Sequence, residues 1–513
     1  MERTFNIVSL FLRQARAMPD KIAIVEDELS ISFGELCRQV EETAAYFVRK
    51  GIKQGDRVLV FVPMGIDLYR TVLALFYIGA IAVFVDEWAD RKRLDKCCAI
   101  ADCKAFIGVW KAHLLRLLSK EIRNIPIKLT TAYSGKGSVT TTETSPDETA
   151  LITFTTGSTG TPKAAVRTHG FLLEQFRALE EKLDAKPTDV DMSVLPIVLL
   201  INLAVGSTSV IAYFKSGKPL AMKVDKIIGQ LQRYHVSRLV ASPYFIKRIA
   251  QAVITNKTCL PHLQDIFTGG APVYQSEAKL YMQAFEGKNI QIVYGSTEAE
   301  PISSVRAEEL GTGDFASYRD EGLLVGKPYQ KTTVRIIKIS DRDLFCISAA
   351  EFEAMICAEG VWGEIVVSGS HVLAQYYKNE TALRSNKIYI DGVYWHRTRD
   401  AGYLREGNLY LVGRCRTLIP KEDGYISPFV FENYVQSIPG VEAGTLLQID
   451  KIDDTLMVLI ELADTQADKE SIRDTILRLP LPIETVRFVR LPRDPRHHSK
   501  IDYEKLAIGV KTP

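Results

Sequence analysis

From Asp56 onward the sequence alternates short β-branched runs with helical stretches, a rhythm that restricts the chain to an α/β architecture built on parallel, doubly wound sheets. Residues 57–62 read as a strand, 65–78 as a helix and 81–85 as the next strand. The pattern resumes with a strand over 150–155, a helix over 171–183, and strands over 237–241, 265–268 and 289–294, each β run closing on a Gly- or Ser-bearing turn. Ligands of such sheets gather at those turns, at the carboxyl ends of the strands. Polar stretches at 134–148 and 308–318 interrupt the rhythm, and the first is the better linker. Beyond Gly413 come short strands (444–449, 456–462), a helix (469–477) and a strand (484–489). We therefore expect a large N-terminal domain, residues 1–415, of stacked doubly wound α/β subdomains. A small mobile α+β C-terminal domain, 416–513, follows it across a hinge at Arg416.

Lys and Arg number 64 against 62 Asp and Glu, a formal net charge of +2. That balance argues against an extended polyanion-binding surface, so nucleic acid is not an expected partner. Residues 1–19 carry Glu2 and helically spaced Phe5, Ile7, Val8, Phe11 and Leu12, without the basic start and cleavage site of a leader, so a cytoplasmic protein is expected. Eight cysteines, at 37, 97, 98, 103, 259, 346, 357 and 415, form no CxxC pair and suit free thiols in a reducing compartment. Residues 192–214 are uncharged for 23 positions, long enough to span a bilayer, yet they contain Pro196, Asn202, Gly206, Ser207, Thr208 and Ser209. An apolar helix or loop lining a pocket is expected there rather than a transmembrane segment. Oligomeric state is not legible.

The sharpest signal is Phe154-Thr-Thr-Gly-Ser-Thr-Gly-Thr-Pro-Lys163, directly after an expected strand. Gly157 and Gly160 let backbone N–H groups turn inward on an anion. Thr155, Thr156, Ser158, Thr159 and Thr161 add hydroxyl donors, and Lys163 adds a point charge, which together make a polyphosphate cradle. It is not a P-loop, because Lys163 is followed by Ala164 rather than a hydroxyl residue.

At these residues the chain resembles the acyl-adenylate-forming superfamily of acyl-CoA synthetases, luciferase and peptide-synthetase adenylation domains. Further matches follow in family order at Tyr294-Gly-Ser-Thr-Glu298, Arg397-Thr-Arg-Asp-Ala-Gly402, Gly413-Arg414 and Ser499-Lys500. The resemblance implies an AMP-forming acid ligase. A carboxylate lacks a good leaving group, and ATP converts it to an acyl-adenylate with loss of pyrophosphate.

In that frame Tyr294 offers a ring face to adenine, Gly295 allows close backbone approach, Ser296 belongs to the same ATP-binding turn, Thr297 bonds a phosphate, and Glu298 is a hard oxygen ligand for Mg²⁺. Gly269-Gly270-Ala271-Pro272 resembles the loop on the other side of the adenine. Asp400 accepts from the ribose hydroxyls, with Arg414 following at family spacing. Lys500, bridging the substrate carboxylate and the α-phosphate, is the expected carrier of rate. One departure stands beside Asp400, where Arg399 replaces the usual glycine.

Three stretches, 105–113, 394–397 and 496–501, resemble the olefin-pathway β-lactone synthetases, which activate a 3-hydroxy acid that closes on itself without CoA. Pro420 and Asp423 stand where CoA ligases usually have Lys and Gly. The expected substrate is a medium- or long-chain fatty acid, with Leu199, Asn202 and Leu203 lining its pocket. ATP and Mg²⁺ are the expected cofactors and CoA an admissible one. Transfer to CoA is the expected second step, with CoA-free β-lactone formation as the alternative. A non-catalytic nucleotide-binding protein is the alternative of another class.

Overall fold

The computed structural model describes residues 4–85, 90–133, 137–155, 162–214, 219–311, 318, 321–449, 455–464, 466–494, 500–503 and 505–506. A first sheet orders Ile127–Thr130, Ala105–Gly108, Arg57–Phe61, Ile81–Phe84, Thr149–Thr155 and Lys163–Thr168. Its first five strands are parallel, and the last runs antiparallel, setting the backbone of Thr155 opposite Lys163. Val58, Leu59, Val83, Phe106, Ile107 and Ile152 are fully buried, as expected of a sheet covered on both faces. The expected phosphate cradle, 154–163, thus has its two described ends, Thr155 and Lys163, on paired strands. Residues 156–161 themselves lie outside the described residues.

A second sheet contains six parallel strands: Ile22–Glu26, Thr208–Ile211, Val190–Ser193, Arg238–Ala241, Asp265–Gly269 and Asn289–Ser296. From Ala299–Arg306 it turns antiparallel and continues through Leu323–Pro328, Asn408–Arg414, Val393–Arg405, Gly363–Ser368 and Thr333–Ile337. This antiparallel extension was not expected from the sequence, and it carries Asp400 and Arg414 on neighbouring strands.

The uncharged stretch 192–214 resolves into the end of a strand, the helix Pro196–Val205 and the strand Thr208–Ile211. Proline at its first turn starts the helix, and Gly206 at φ 94° ends it. Among the described residues no helix is long and apolar enough to cross a membrane. The polar stretch expected over 308–318 begins instead as the helix Ala307–Gly311.

After the turn Cys415–Thr417 come the hairpin Ile419–Lys421 with Gly424–Ile426, the helix Pro428–Val435, and a three-stranded sheet of Val441–Gln448, Leu456–Leu462 and Ile483–Phe488 backed by Lys469–Leu477. Phe431, Leu446, Val458, Ile460, Ile472 and Ile476 form its own core. Tyr274 Oη donates to Glu432 Oε2 at 2.9 Å and Lys247 pairs with Glu442 at 3.1 Å, so this unit rests on the body beside the 269–272 turn.

One packing detail sets an acid limit. Buried His169, at the start of the helix His169–Leu183, accepts from the Ile7 N–H through Nδ1 at 3.2 Å, which requires a neutral ring. Burial pushes its pKa down to about 4, opposed by Glu148. The unfolded chain therefore takes up this proton near pH 6.5, where the folded chain does not, and stability falls as pH drops from there toward 4. The expected loss is up to about 3 kcal/mol. Urea midpoints between pH 7 and 4 should show that slope, and His169→Asn, which keeps an acceptor, should flatten it. An equal slope in the variant would assign the acid limb elsewhere.

Candidate active site

The end of the Asn289–Ser296 strand and the residues that follow it bring Tyr294, Gly295, Ser296, Thr297 and Glu298 to the wall of one cavity. Lys163, the turn Gly269–Pro272, Asp400, Arg414, Arg416 and Lys500 line the same cavity. Residues more than three hundred positions apart in sequence therefore meet around one space. Thr156, Gly157, Ser158, Thr159, Gly160 and Thr161 fall outside the described residues, and of Thr155 only the backbone is placed.

Asp400 is the best-defined polar anchor. Its Oδ2 accepts from Tyr294 Oη at 2.7 Å and its Oδ1 pairs with Arg414 Nη1 at 3.0 Å. The Asp400 N–H donates to Thr398 Oγ1 at 3.0 Å, and Arg414 also reaches Thr398 O at 3.3 Å. The strand pairing that sets Asp400 directly opposite Arg414 explains the geometry. Tyr294 thus turns its hydroxyl on the carboxylate, a contact the ring-face expectation did not contain.

The residue before it, Arg399, sits at φ 61°, in the left-handed region that glycine adopts freely. An arginine is thus held in a conformation that a glycine would adopt without strain. Its guanidinium donates to Ser385 O and lies 3.8 Å from Glu364 Oε1.

Glu298 Oε1 accepts from Tyr376 Oη at 3.2 Å, and the Glu298 carbonyl accepts from Leu373 N at 2.7 Å. Arg167 braces the same turn by donating to Thr297 O at 3.1 Å and to Thr153 Oγ1. Lys163 Nζ donates to Asn386 Oδ1 at 2.8 Å. Burial holds the Lys163 ammonium below its ordinary pKa, with Glu298 opposing and Arg399 and Arg414 assisting. Next to it Lys387 is completely buried, with Nζ on Leu373 O, and burial pushes it down to about 7. His396 is held neutral by burial and by Lys387, with Nδ1 on Asn386 O at 3.2 Å. Tyr376, Asn386 and Lys387 were missed from sequence, since a lone Tyr, Asn or Lys carries no signal before its neighbours are known. His396 lay within a recognised stretch, without a role.

The structure corrects the acyl-pocket residues. Leu199 and Leu203 are fully buried in the hydrophobic core, and Asn202 donates to Ser209 Oγ at 3.1 Å and accepts from Arg238 at 3.3 Å. The Pro196–Val205 helix shows its other face to the cavity, through Ile197, Val198 and Leu200 after Leu195 and Pro196. A helix advances about 100° per residue, so neighbours in sequence separate onto different faces.

The cavity suits a nucleotide and a hard cation. Ser296 Oγ and Thr268 Oγ1 are buried at its wall without a hydrogen-bond partner among the described residues, as expected of groups reserved for a polar ligand. Among the described residues only one Glu298 oxygen has a protein donor. A Cβ at Gly269 would sit 2.5 Å from Val293 O, so only glycine lets the strand end pass this closely.

The family described as AMP-binding enzyme is matched over residues 11–377. The chain is 28% identical to an olefin beta-lactone synthetase of Stenotrophomonas maltophilia strain K279a, over 99% of this chain and 98% of that protein. It is 29% identical to one of Xanthomonas campestris pv. campestris, over 98% and 97%. Among solved structures, the amide bond synthetase McbA from Marinactinospora thermotolerans superposes with a TM-score of 0.82 at 19% identity, covering 98% of this chain and 99% of that one. O-succinylbenzoate Coenzyme A synthetase (MenE) from Bacillus subtilis, in complex with AMP, superposes with a TM-score of 0.79 at 20% identity, covering 97% of each. At these identities the structural likeness is one of fold.

Proposed function

Because the chain belongs to the AMP-binding enzyme family and is an adenylate-forming acid ligase, we propose that it activates an aliphatic 3-hydroxy acid with ATP and closes the acyl-adenylate to a β-lactone. The observation that carries the activation step is the convergence of the Tyr294–Asp400–Arg414 cluster, Glu298, Lys163 and Lys500 on one cavity. Asp400 holds the ribose hydroxyls, with Tyr294 and Arg414 fixing the carboxylate. Gly269–Pro272 and Tyr294 flank the adenine. Lys163 and the residues 155–161 take the β- and γ-phosphates, and Thr297 donates to a phosphate oxygen. The acid's alkyl chain lies against Leu195, Ile197, Val198 and Leu200.

The substrate carboxylate oxygen attacks the α-phosphorus, and the bond from phosphorus to the pyrophosphate oxygen breaks. Lys500 places its ammonium between carboxylate and α-phosphate, opposing the charge that builds there. Mg²⁺, held by Glu298, would neutralise phosphate charge during this displacement. Arg416 serves as the hinge between residues 1–415 and a mobile cap, 416–513, which brings Lys500 to the site. In the second step the substrate's 3-hydroxyl oxygen attacks the acyl carbon, its proton goes to solvent or a basic group, and AMP departs.

Closure is preferred because the similarity to olefin beta-lactone synthetases extends over the whole chain and because Pro420 and Asp423 replace the lysine and glycine of CoA ligases. Thioester formation with CoA is the second reading, supported by likeness to a Bacillus subtilis protein described as a putative acyl-CoA ligase, 25% identical over 82% of this chain. Mass spectrometry of products from ATP and a panel of fatty and 3-hydroxy fatty acids, with and without CoA, separates them. A CoA-independent product one water lighter than the 3-hydroxy acid is expected. A thioester formed only with CoA would replace closure by the second reading, and absence of pyrophosphate release with every acid would sink the activation step.

A further inference from the structure

We propose that the segment from Trp110 to Asn124 is a docking surface for an anionic lipid bilayer. The 3-10 turn Trp110–Leu114 and the helix Leu115–Leu118 expose four large apolar side chains: Trp110 is 67% exposed, Leu114 54%, Leu117 75% and Leu118 55%. Their spacing of four, three and one residues puts them on one side of a helical coil. The inner side is already anchored. Ala112 and Ile122 are buried in the core, and His113 reaches Leu129 O at 3.1 Å and meets the Phe106 ring edge-on at 5.0 Å. The four outward residues are therefore not used by the core, and a cluster of that kind marks an interaction surface rather than ordinary scatter.

The charges around the cluster select the occupant. Lys111, Arg116, Lys120 and Arg123 are all exposed between and beside the apolar residues. The adjoining helix Arg91–Ala101, which packs against Lys120–Asn124, adds exposed Arg91, Lys92 and Lys96. Residues 91–124 hold nine Lys or Arg against three Asp or Glu, a local excess of six positive charges in a chain whose total excess is two. Of those acids, Asp95 accepts from Ser119 Oγ and lies 3.9 Å from Arg91, and Asp102 pairs with Arg57 at 3.3 Å. Glu121, half-buried, is the third. An exposed Trp and three Leu set among Lys and Arg match the chemistry of an anionic bilayer surface, where rings and alkyl groups enter the headgroup boundary and the cations face lipid phosphates. A soluble protein partner would not require so one-sided a charge.

The location bears on substrate supply, a consequence that rests on the aliphatic-acid reading. Val109 and Ala112, on the inner side of the same turn, line the reaction cavity. A lipid-borne acid would then enter from the surface that the outer side touches.

Sedimentation of the full chain with phosphatidylcholine vesicles, with and without phosphatidylglycerol, tests the docking surface directly. The chain should bind the anionic vesicles and come off as salt is raised. The double variant Leu117→Glu with Leu118→Glu should lose about tenfold or more of that binding. Its pyrophosphate release from a short, water-soluble acid should be unchanged. Should the double variant fold poorly, tryptophan emission gives the same information: vesicles should shift the wild-type emission to the blue, and Trp110→Phe should remove the shift. No binding to anionic vesicles, or equal binding by the double variant, would overturn the proposal. So would a wild-type dimer that the double variant converts to monomer without any vesicle binding, which would give the face to a second copy. Pyrophosphate release that fails with every acid sinks the proposed chemistry and leaves vesicle binding standing.

Discussion

Alanine in place of Lys500 is expected to lower pyrophosphate release by about 10²–10³-fold while AMP binds as tightly as before. The contrast follows from what the side chain does and what the backbone around it does. Lys500 donates its N–H to Asp494 Oδ1 at 3.0 Å and accepts from Asp494 N at 2.9 Å, and Arg493 bridges Ile501 on the opposite strand. Three residues on, Tyr503 donates to Glu432, which also accepts from Tyr274 and from Thr445 Oγ1 at 2.8 Å. These moorings are made by backbone atoms and by other side chains, so the substitution does not remove them. AMP, on the proposed reading, is held by Asp400 and Arg414 on the body of the protein. What disappears is a positive charge placed where negative charge gathers during transfer to phosphorus, an effect that ground-state binding does not register. Lys500→Arg keeps the charge on a bulkier, planar head and should fall between the two. Rates and AMP affinities are measured separately, by coupled pyrophosphate assay and calorimetry. A K500A chain that releases pyrophosphate near the wild-type rate would remove Lys500 from the reaction, and one that loses AMP affinity in step would make it a binding residue.

How far the site could be read in advance depended on whether its signal was local. Val58 to Val60 and Ile266 to Phe267 announce parallel strands because both faces of each strand are buried and every position must be apolar. The Tyr294–Glu298 and Arg397–Gly402 motifs could be found because their residues stand together in sequence as well as in space. The strand Val393–Arg405 could not, since Arg397, Arg399 and Asp400 give thirteen residues the appearance of a polar loop. Their charges are answered from elsewhere, by Glu364 and by Arg414. The acyl-wall residues failed for a related reason. Composition showed that the 192–214 stretch is apolar, but which side of the Pro196–Val205 helix faces the cavity depends on Ser209 and Arg238, which hold Asn202 inward. Arg399 shows the converse, because a residue that reads as an ordinary surface cation stands in the left-handed backbone region.

That strand supplies the second large effect. Glu364→Ala is expected to destabilise the chain by about 3–5 kcal/mol, a large share of the roughly 5–15 kcal/mol that holds a folded protein together. Glu364 and Arg397 are each 1% exposed, with Nη2 and Oε2 2.6 Å apart and Nε 3.2 Å from both carboxylate oxygens. Arg397 also donates to Ser340 O at 2.5 Å and to Arg342 O at 3.1 Å. Those carbonyls satisfy donors but do not neutralise a cation, so truncating Glu364 leaves a full positive charge in the interior beside Arg399. Replacing both partners by apolar residues, as in Glu364→Leu with Arg397→Met, removes that burden and should restore most of the stability. Because Arg397 sits three residues before Asp400 on the same strand, the single variant should also lose nucleotide affinity, and the double variant should regain it together with its thermal midpoint. Denaturant midpoints for the two variants decide the matter. A single variant as stable as wild type would mean that the interior admits water to Arg397, and a double variant as weak as the single one would show that the carbonyl contacts at 340 and 342, rather than the ion pair, hold the strand.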